Sequence, residues 1–237
     1  MKLGVIGGLG PLATAYFFEL LINMSDVDND QDHLEILIHN CPSIPDRTQY
    51  ILHKSNDNPV IPMIKVGKGL IDQGCDLISI PCITAHYFHK ELSTSLSQPI
   101  VHLVEELALF LKKHNYNKVG IMATDGTINS CLFQIELSKY GIEAIVPDSI
   151  YQKDVMHIIY DNVKKGRKID MNCFERVSNH LKQKEAEIVV LGCTELSIVK
   201  KNVRLDHSFL DAMELLSAVS LKKCGMKIKD EYRYLVE

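Results

Sequence analysis

The sequence lacks several features that mark specialised classes of protein. No apolar stretch approaches the roughly 18 residues that a membrane-spanning helix needs. Basic residues are not in excess, since 26 Lys and Arg stand against 30 Asp and Glu for a net charge of −4. Nothing therefore indicates a nucleic-acid or membrane partner. The opening segment MKLGVIGGLGP lacks the pattern of a signal peptide, because glycines stand where a cleavage site would be.

The sequence also has no close pair of cysteines of the CxxC kind. Its seven cysteines are widely spread, and an odd number without a secretion signal favours free thiols in a reducing compartment. We therefore expect a cytoplasmic protein without structural disulfides. Most of these cysteines are expected to be small buried residues.

Short apolar runs alternate with longer helical patterns, which predicts an α/β fold with parallel sheets and right-handed crossovers. The length of 237 residues allows one large domain or two modest ones. The predicted strands are Leu3–Ile6, Leu34–Ile38, Asp76–Ile80, Lys118–Met122, Glu143–Val146 and Ile188–Leu191, and the predicted helices are Pro11–Met24, Val60–Gln73, Thr84–Leu96, Thr127–Tyr140, Tyr151–Lys165, Met171–Lys184 and Phe209–Cys224.

The chain contains a weak internal repeat. Asp76–Cys82 (DLISIPC) and Glu187–Cys193 (EIVVLGC) each have an acidic residue, an apolar strand, a breaker and a cysteine. The alternative is that any two buried strands look alike, but the cysteine falls on the same element in both copies. The repeat predicts two pseudo-symmetric α/β domains, residues 1–98 with 208–237, and residues 99–207.

Cys82 and Cys193 each follow a predicted strand and precede a helix. Ligands of parallel α/β sheets bind outside the carboxyl ends of strands. A helix N-terminus favours negative charge, so we expect both thiols to have a lowered pKa and accessible thiolates. If the two domains face each other across a cleft, one thiol lies on each side of it.

A thiolate and a thiol on opposite sides of a substrate suit inversion of a carbon centre, which needs a base on one face and an acid on the other. A zinc site using the two cysteines with His86 and His89 is an alternative, although no close CxxC or HxxxH cluster supports it. On their own, these histidines are more often ordinary helix-face residues.

The first loop allows a second interpretation. Gly8–Ala13 fits the G-x-G-x-x-[GA] pattern of a dinucleotide site. Such a site wants an acidic residue at the end of the second strand, but His39–Pro42 contains none. We therefore interpret the glycines as a tight loop that brings backbone close to a small ligand.

Two cations stand at similar points in the two halves. Arg47 lies in a predicted loop after the second strand, and Lys164 lies near the end of a predicted helix. Their ordinary roles would be a solvated surface charge and a complement to the helix C-terminus. A dicarboxylic substrate would use such cations, with arginine binding a carboxylate through two hydrogen bonds.

The sequence resembles the aspartate racemase branch of the aspartate/glutamate/hydantoin racemase superfamily. The resemblance extends over nearly the whole chain, and its marks are specific only in combination. The matching motifs are Ile6–Pro11 (IGGLGP), Ile44–Thr48 (IPDRT), Pro81–His86 (PCITAH), Ala123–Thr127 (ATDGT) and Gly192–Glu195 (GCTE).

This resemblance implies two Rossmann-like domains, a cleft site, a homodimer, and catalysis without pyridoxal phosphate or metal. It assigns Cys82 and Cys193 as the acid/base pair that acts on a small amino acid such as aspartate. The substrate-binding residues that it implies are Thr84, Thr124, Thr127, Thr194 and Glu195 around the amino acid, Arg47 and Lys164 toward its carboxylates, and Gly10, Gln49 and Ile83 beside them.

The sequence departs from the family pattern at Ile83. The family usually has asparagine between the first cysteine and the threonine, so an amide is replaced by an alkyl group. Ile83 is expected near the substrate, or alternatively packed as an ordinary apolar residue. The leading hypothesis is an aspartate racemase. The alternatives are a racemase of broader specificity, a related lyase or decarboxylase, and a protein that binds a small acid without turnover.

Overall fold

The computed structural model describes residues 1–203 and 205–237, so residue 204 of the predicted second domain lies outside the described part. The chain divides into two compact units. Unit 1 contains Met1–Leu103 and Met213–Glu237, and unit 2 contains Val104–Ala212. Both boundaries lie a few residues after those expected from the sequence.

Each unit is built from parallel strands and helices that alternate along the chain. The strands are β1 (Lys2–Gly7), β2 (Glu35–Asn40), β3 (Leu77–Ser79), β4 (Lys118–Met122), β5 (Glu143–Ile145), β6 (Ile188–Leu191) and β7 (Phe209–Asp211). The helices are α1 (Pro11–Met24), α2 (Arg47–Ile51), α3 (Val60–Asp72), α4 (His89–Ser95), α5 (Leu103–Lys113), α6 (Asp125–Asn129), α7 (Leu132–Ser138), α8 (Ser149–Met156), α9 (Met171–Gln183), α10 (Thr194–Asn202) and α11 (Ala212–Lys223).

The first three strands of each sheet follow the same order. Unit 1 has the order β2-β1-β3, and unit 2 has the order β5-β4-β6-β7, with every pair parallel. In both units the first strand is central, and the second and third strands flank it. A parallel bridge between Ile78 and Ile100 lies in unit 1 where β7 pairs with β6 in unit 2. This shared order supports the internal repeat and confirms the predicted α/β class with two Rossmann-like parallel sheets.

The core of unit 1 lies between its sheet and the helices packed on it. Val66, Met63 and Leu70 of α3 belong to one buried cluster with Ile6 and Ile78 of the sheet. The buried central strands are apolar on both faces, as parallel sheets require. None of the helices in the described part of the chain combines the length and low charge of a membrane-spanning segment.

Two predicted helices are interrupted in the structure. The segment predicted as Thr84–Leu96 begins as a 3₁₀ helix, Ile83–Phe88, before α4. The segment predicted as Thr127–Tyr140 is broken into α6 and α7 at Cys131, which has a left-handed φ of +55°. A single residue in this conformation separates the two helices, and the local sequence gives no sign of it.

Four further differences concern element type. The helix predicted as Tyr151–Lys165 changes into a π-helix over His157–Val163. The predicted start of the helix Phe209–Cys224 was wrong, because Phe209–Asp211 pairs with β6 as strand β7. Helix α5 was not predicted, and α2 was predicted as loop.

Candidate active site

Cys82 lies just after β3, at the start of the 3₁₀ helix, and only 6% of its surface is exposed. Its backbone N–H donates to the Ile80 carbonyl at 2.7 Å, and its carbonyl accepts from the Ala85 N–H at 3.0 Å. Cys193 occupies the equivalent place after β6 and is 5% exposed. Its carbonyl accepts from the Leu196 N–H at 2.8 Å. Each cysteine thus begins a helical turn at the carboxyl end of a strand, β3 or β6, that pairs with the central strand of its sheet.

The thiol of Cys193 is engaged by a carboxylate. Its Sγ lies 2.9 Å from Oε2 of Glu195, and the Thr194 hydroxyl donates to the same oxygen at 3.4 Å. Glu195 is itself buried. A buried carboxylate at this distance accepts the thiol proton and repels a thiolate, so the geometry holds Cys193 as a thiol.

Burial raises the pKa of Cys193 well above its ordinary value, and the charge of Glu195 raises it further. Lys164 and the Glu195 backbone N–H act in the opposite direction but are smaller effects. The expectation that helix position lowers this pKa was wrong. The helix N-terminus does favour thiolate, but desolvation and a neighbouring negative charge outweigh it.

Lys164 connects to the same group. Its Nζ lies 3.6 Å from Oε1 of Glu195 and 4.6 Å from the centre of the Tyr160 ring. Its backbone N–H donates to the Ile159 carbonyl at 3.0 Å, the five-residue spacing of the π-helix that it follows. Lys164 therefore pairs with a buried carboxylate of the protein, rather than only complementing a helix end.

The predicted threonines are all buried. Thr84 lies in the 3₁₀ helix after Cys82, and Thr194 opens α10. Thr124 caps α6, accepting the backbone N–H of Thr127 at 3.3 Å, and the two hydroxyls are 3.1 Å apart. A Thr cap of this kind fixes the start of the helix.

Arg47 is a buried residue at the first position of α2, so its assignment to a loop was wrong. Its guanidinium donates to the carbonyls of Ile44 at 3.2 Å, Pro45 at 2.9 Å and Leu9 at 2.6 Å. The side chain therefore ties the loop after β1 to the loop after β2. A surface arginine would make no such set of bonds.

The other predicted residues of these two loops make backbone contacts. The carbonyl of Gly10, which precedes α1, accepts from the N–H and hydroxyl of Thr14 at 3.0 and 2.9 Å. The N–H of Gln49 donates to the carboxylate of Asp46 at 2.9 Å, and this side chain thereby caps α2.

Gly8 is required by the packing of the chain itself. It has φ +88°, and a Cβ there would lie 2.5 Å from the backbone of Cys41. The close approach that requires glycine at this position is to the chain's own second loop. The expectation that the glycine loop brings backbone close to a small ligand stays a prediction.

Ile83 is only 1% exposed. This degree of burial agrees with the alternative that it packs as an ordinary apolar residue. It also places a large alkyl group immediately after Cys82 in the chain.

Three histidines of unit 1 form a group; the sequence indicates His86 and His89 only as alternative zinc ligands or ordinary helix-face residues, and it assigns no role to His102. The rings of His89 and His102 are 4.1 Å apart, and His86 lies 6.3 and 6.2 Å from them. The Nε2 of His86 lies 3.2 Å from the Ile80 carbonyl. Within residues 1–203 and 205–237, no group of three or more His, Cys, Asp or Glu side chains is placed to hold a metal ion. The sequence feature that points to this histidine group is the position of His86, four residues after Cys82.

Unit 2 also has a cavity of about 440 Å³, a size typical of small-ligand sites. It adjoins the predicted site through Asp125 and Tyr160 but contains no predicted site residue. Its lining residues are Asp125, Asn129, Ser149, Gln152, Lys153, Met156, His157, Tyr160 and Asp161. At Cys193, in contrast, a buried thiol, the Glu195 carboxylate and the Lys164 ammonium lie together.

The structure thus groups the predicted residues locally. In unit 2 it brings together Cys193, Thr194, Glu195 and Lys164. In unit 1 it joins Arg47 to the first loop.

Comparison with known proteins gives consistent matches. Residues 6–218 match the family model described as Asp/Glu/Hydantoin racemase. The chain is 27% identical over 225 residues to the broad specificity amino-acid racemase RacX of Bacillus subtilis, covering 91% of this chain and 94% of that protein. It is 31% identical to the solved Picrophilus torridus aspartate racemase, with a TM-score of 0.85 and coverage of 99% and 98%. An aspartate racemase homologue from Pyrococcus horikoshii shares the fold, with 21% identity, a TM-score of 0.75 and coverage of 94% and 99%.

Proposed function

Because the chain belongs to the Asp/Glu/hydantoin racemase family and is therefore an amino-acid racemase, we propose that it interconverts L- and D-aspartate, or a close relative, through Cys82 and Cys193. The observation that carries this proposal is the buried Cys193 thiol, hydrogen-bonded to Glu195 with Lys164 beyond it. A racemase needs one group that holds a proton ready for delivery while the other removes one, and this arrangement supplies the first.

In the proposed reaction, the Cys82 thiolate removes the α-hydrogen as a proton, and the C–H electron pair stays on the α-carbon as a carbanion. The Cys193 thiol delivers its own proton to the opposite face of that carbon. Cys82 ends as thiol and Cys193 as thiolate. Lys164 and the Glu195 N–H favour the new thiolate, because both lower the pKa of Cys193. The reverse reaction uses the same groups with their roles exchanged.

Arg47 is the proposed selector of an acidic substrate. Three carbonyls hold its guanidinium in a fixed orientation. A cation that is already oriented loses little conformational entropy on binding a carboxylate. Lys164, the threonines, Gly10 and Gln49 complete the proposed substrate site.

The 27% identity to RacX, across nearly the whole of both chains, favours a second candidate. In that case the protein racemises several amino acids, and aspartate is one among them. Ile83 in place of the family's asparagine is compatible with this candidate, because it presents an alkyl group where an amide is usual.

The purified protein incubated with separate L- and D-amino acids in deuterated water tests the proposal. We expect aspartate to gain α-deuterium and to lose optical activity fastest, with both changes unaffected by prior dialysis against chelator. Faster reaction of a neutral amino acid would favour the broader racemase. Binding of aspartate without deuterium entry would overturn the proposal. We also propose a homodimer, as the family resemblance implies, which light scattering tests.

A further inference from the structure

His86 lies in the 3₁₀ helix that begins after Cys82, and it has no part in the proposed acid/base pair. It is fully buried, and its Nε2 lies 3.2 Å from the Ile80 carbonyl. That same carbonyl accepts the backbone N–H of Cys82 at 2.7 Å. One carbonyl therefore connects the imidazole to the backbone of the cysteine.

The hydrogen bond identifies the tautomer. A carbonyl only accepts, so Nε2 carries the proton and Nδ1 does not. Nδ1 is buried and has no hydrogen-bond partner among the residues that the structure describes. Burial, with the nearby His102 and His89, lowers the pKa of His86 to about 3, so the ring stays neutral. An apolar residue would avoid leaving a buried nitrogen unpaired, which indicates that the Nε2–H donor is what the site uses.

The two halves of the chain differ in the hydrogen-bond donors of this turn. Gly192 precedes Cys193, and its N–H donates to the carbonyls of Met122 at 2.8 Å and Val190 at 3.0 Å. The equivalent residue before Cys82 is Pro81, which has no N–H. The turn that carries Cys82 therefore lacks the backbone N–H that Gly192 supplies in the other turn, and the Nε2–H of His86 adds a side-chain bond at a neighbouring carbonyl, that of Ile80.

We propose that His86 is a positioning residue for Cys82, its Nε2–H holding the Ile80 carbonyl and thereby the orientation of the cysteine that exchanges the substrate's α-proton. This inference rests on the proposed function for its catalytic meaning. The effect of His86 on the reactivity of the Cys82 thiol can be measured without any substrate.

The experiment compares His86→Leu, which removes the donor, with His86→Gln, whose amide nitrogen reaches about as far as Nε2. His89→Leu is the matched control, because it disturbs the same ring cluster but leaves the bond to Ile80. Thermal melts establish that each variant is folded. If His86→Leu does not fold, His86→Asn replaces it, since its shorter side chain keeps polarity but not reach.

The first measurement is the rate of iodoacetamide modification of each cysteine, followed by mass spectrometry across pH. We expect His86→Leu to raise the rate at the buried Cys82 by about fivefold or more and to leave Cys193 unchanged, while His86→Gln stays near wild type. An unchanged Cys82 profile in His86→Leu, or the same change in His89→Leu, overturns the proposal.

The second measurement is α-deuterium exchange from L- and D-aspartate separately. We expect His86→Leu to lower kcat by about 10- to 100-fold, because small misplacements of a reacting group have effects of that order. KM should change little, and exchange should fall more for one enantiomer than for the other. Equal loss for both enantiomers, without rescue in His86→Gln, would mean a merely structural role. If the wild type exchanges no α-proton at all, the proposed function fails, and the modification rates still test whether His86 orients Cys82.

Discussion

The buried His86 makes the stability of the protein sensitive to acid in a calculable way. Its folded-state pKa is about 3, below the ordinary value of 6.5 that applies in the unfolded chain. As the pH falls below 6.5, the unfolded chain binds a proton that the folded protein does not, so the free energy of unfolding decreases. The decrease continues until the pH approaches 3, where the folded protein also binds the proton.

The magnitude at about pH 5 depends mainly on the unfolded pKa. At that pH an ordinary histidine is almost fully protonated, whereas His86 in the folded protein remains neutral. Linkage then gives a loss of about 2 kcal/mol between roughly pH 8 and pH 5 from this residue alone. His89 and His102 face the same ring, so their titration must be separated from that of His86.

Urea denaturation of wild type, His86→Gln and His89→Gln at about pH 8 and about pH 5 makes that separation. We expect His86→Gln to lose about 2 kcal/mol less than wild type on acidification, whatever its stability at pH 8. His89→Gln should not reproduce this difference. Identical pH dependence in wild type and His86→Gln would refute the reasoning.

The remaining predictions concern the proposed site. Glu195→Gln should shift alkylation of Cys193 to lower pH by removing a negative charge, and Lys164→Met should shift it to higher pH; no shift in either would mean that this contact does not govern the thiol. Arg47→Leu should lower kcat/KM for aspartate about 10- to 100-fold more than for a neutral amino acid, since a charge-assisted bond contributes about 1.5–3 kcal/mol; equal losses would mean that Arg47 only holds the loops. Ile83→Asn should raise kcat/KM for aspartate and move the alkaline rise of the pH–rate profile to lower pH, because it adds a donor and polar surroundings beside the cysteine; unchanged kinetics would assign Ile83 to ordinary packing.

The sequence was sufficient for the central strands because they are buried on both faces. Lys118–Met122 and Ile188–Leu191 have continuous apolar runs, and their predicted bounds equal the observed ones. The sequence was insufficient where strand pairing or one backbone dihedral angle determines the type of element. Phe209–Asp211 becomes a strand only because β6 lies beside it, and Cys131 ends a helix through one dihedral angle.

The same contrast between local patterns and long-range contacts holds for the candidate site. The two cysteines of the candidate site could be identified because the repeat puts each one after a strand, which is a local pattern. The protonation of Cys193 depends on where the Glu195 carboxylate reaches, and the bonds of Arg47 depend on how two distant loops pack. Side-chain contacts of this kind have no local sequence pattern.

The central claim is that Cys82 and Cys193 exchange protons on opposite faces of one carbon. The most direct test measures α-deuterium exchange from each enantiomer of aspartate in Cys82→Ala and Cys193→Ala. We expect each variant to lose racemisation in both directions while retaining exchange with one enantiomer only, and the retained enantiomer to differ between the two variants. Normal two-way racemisation in either variant would contradict the two-cysteine mechanism.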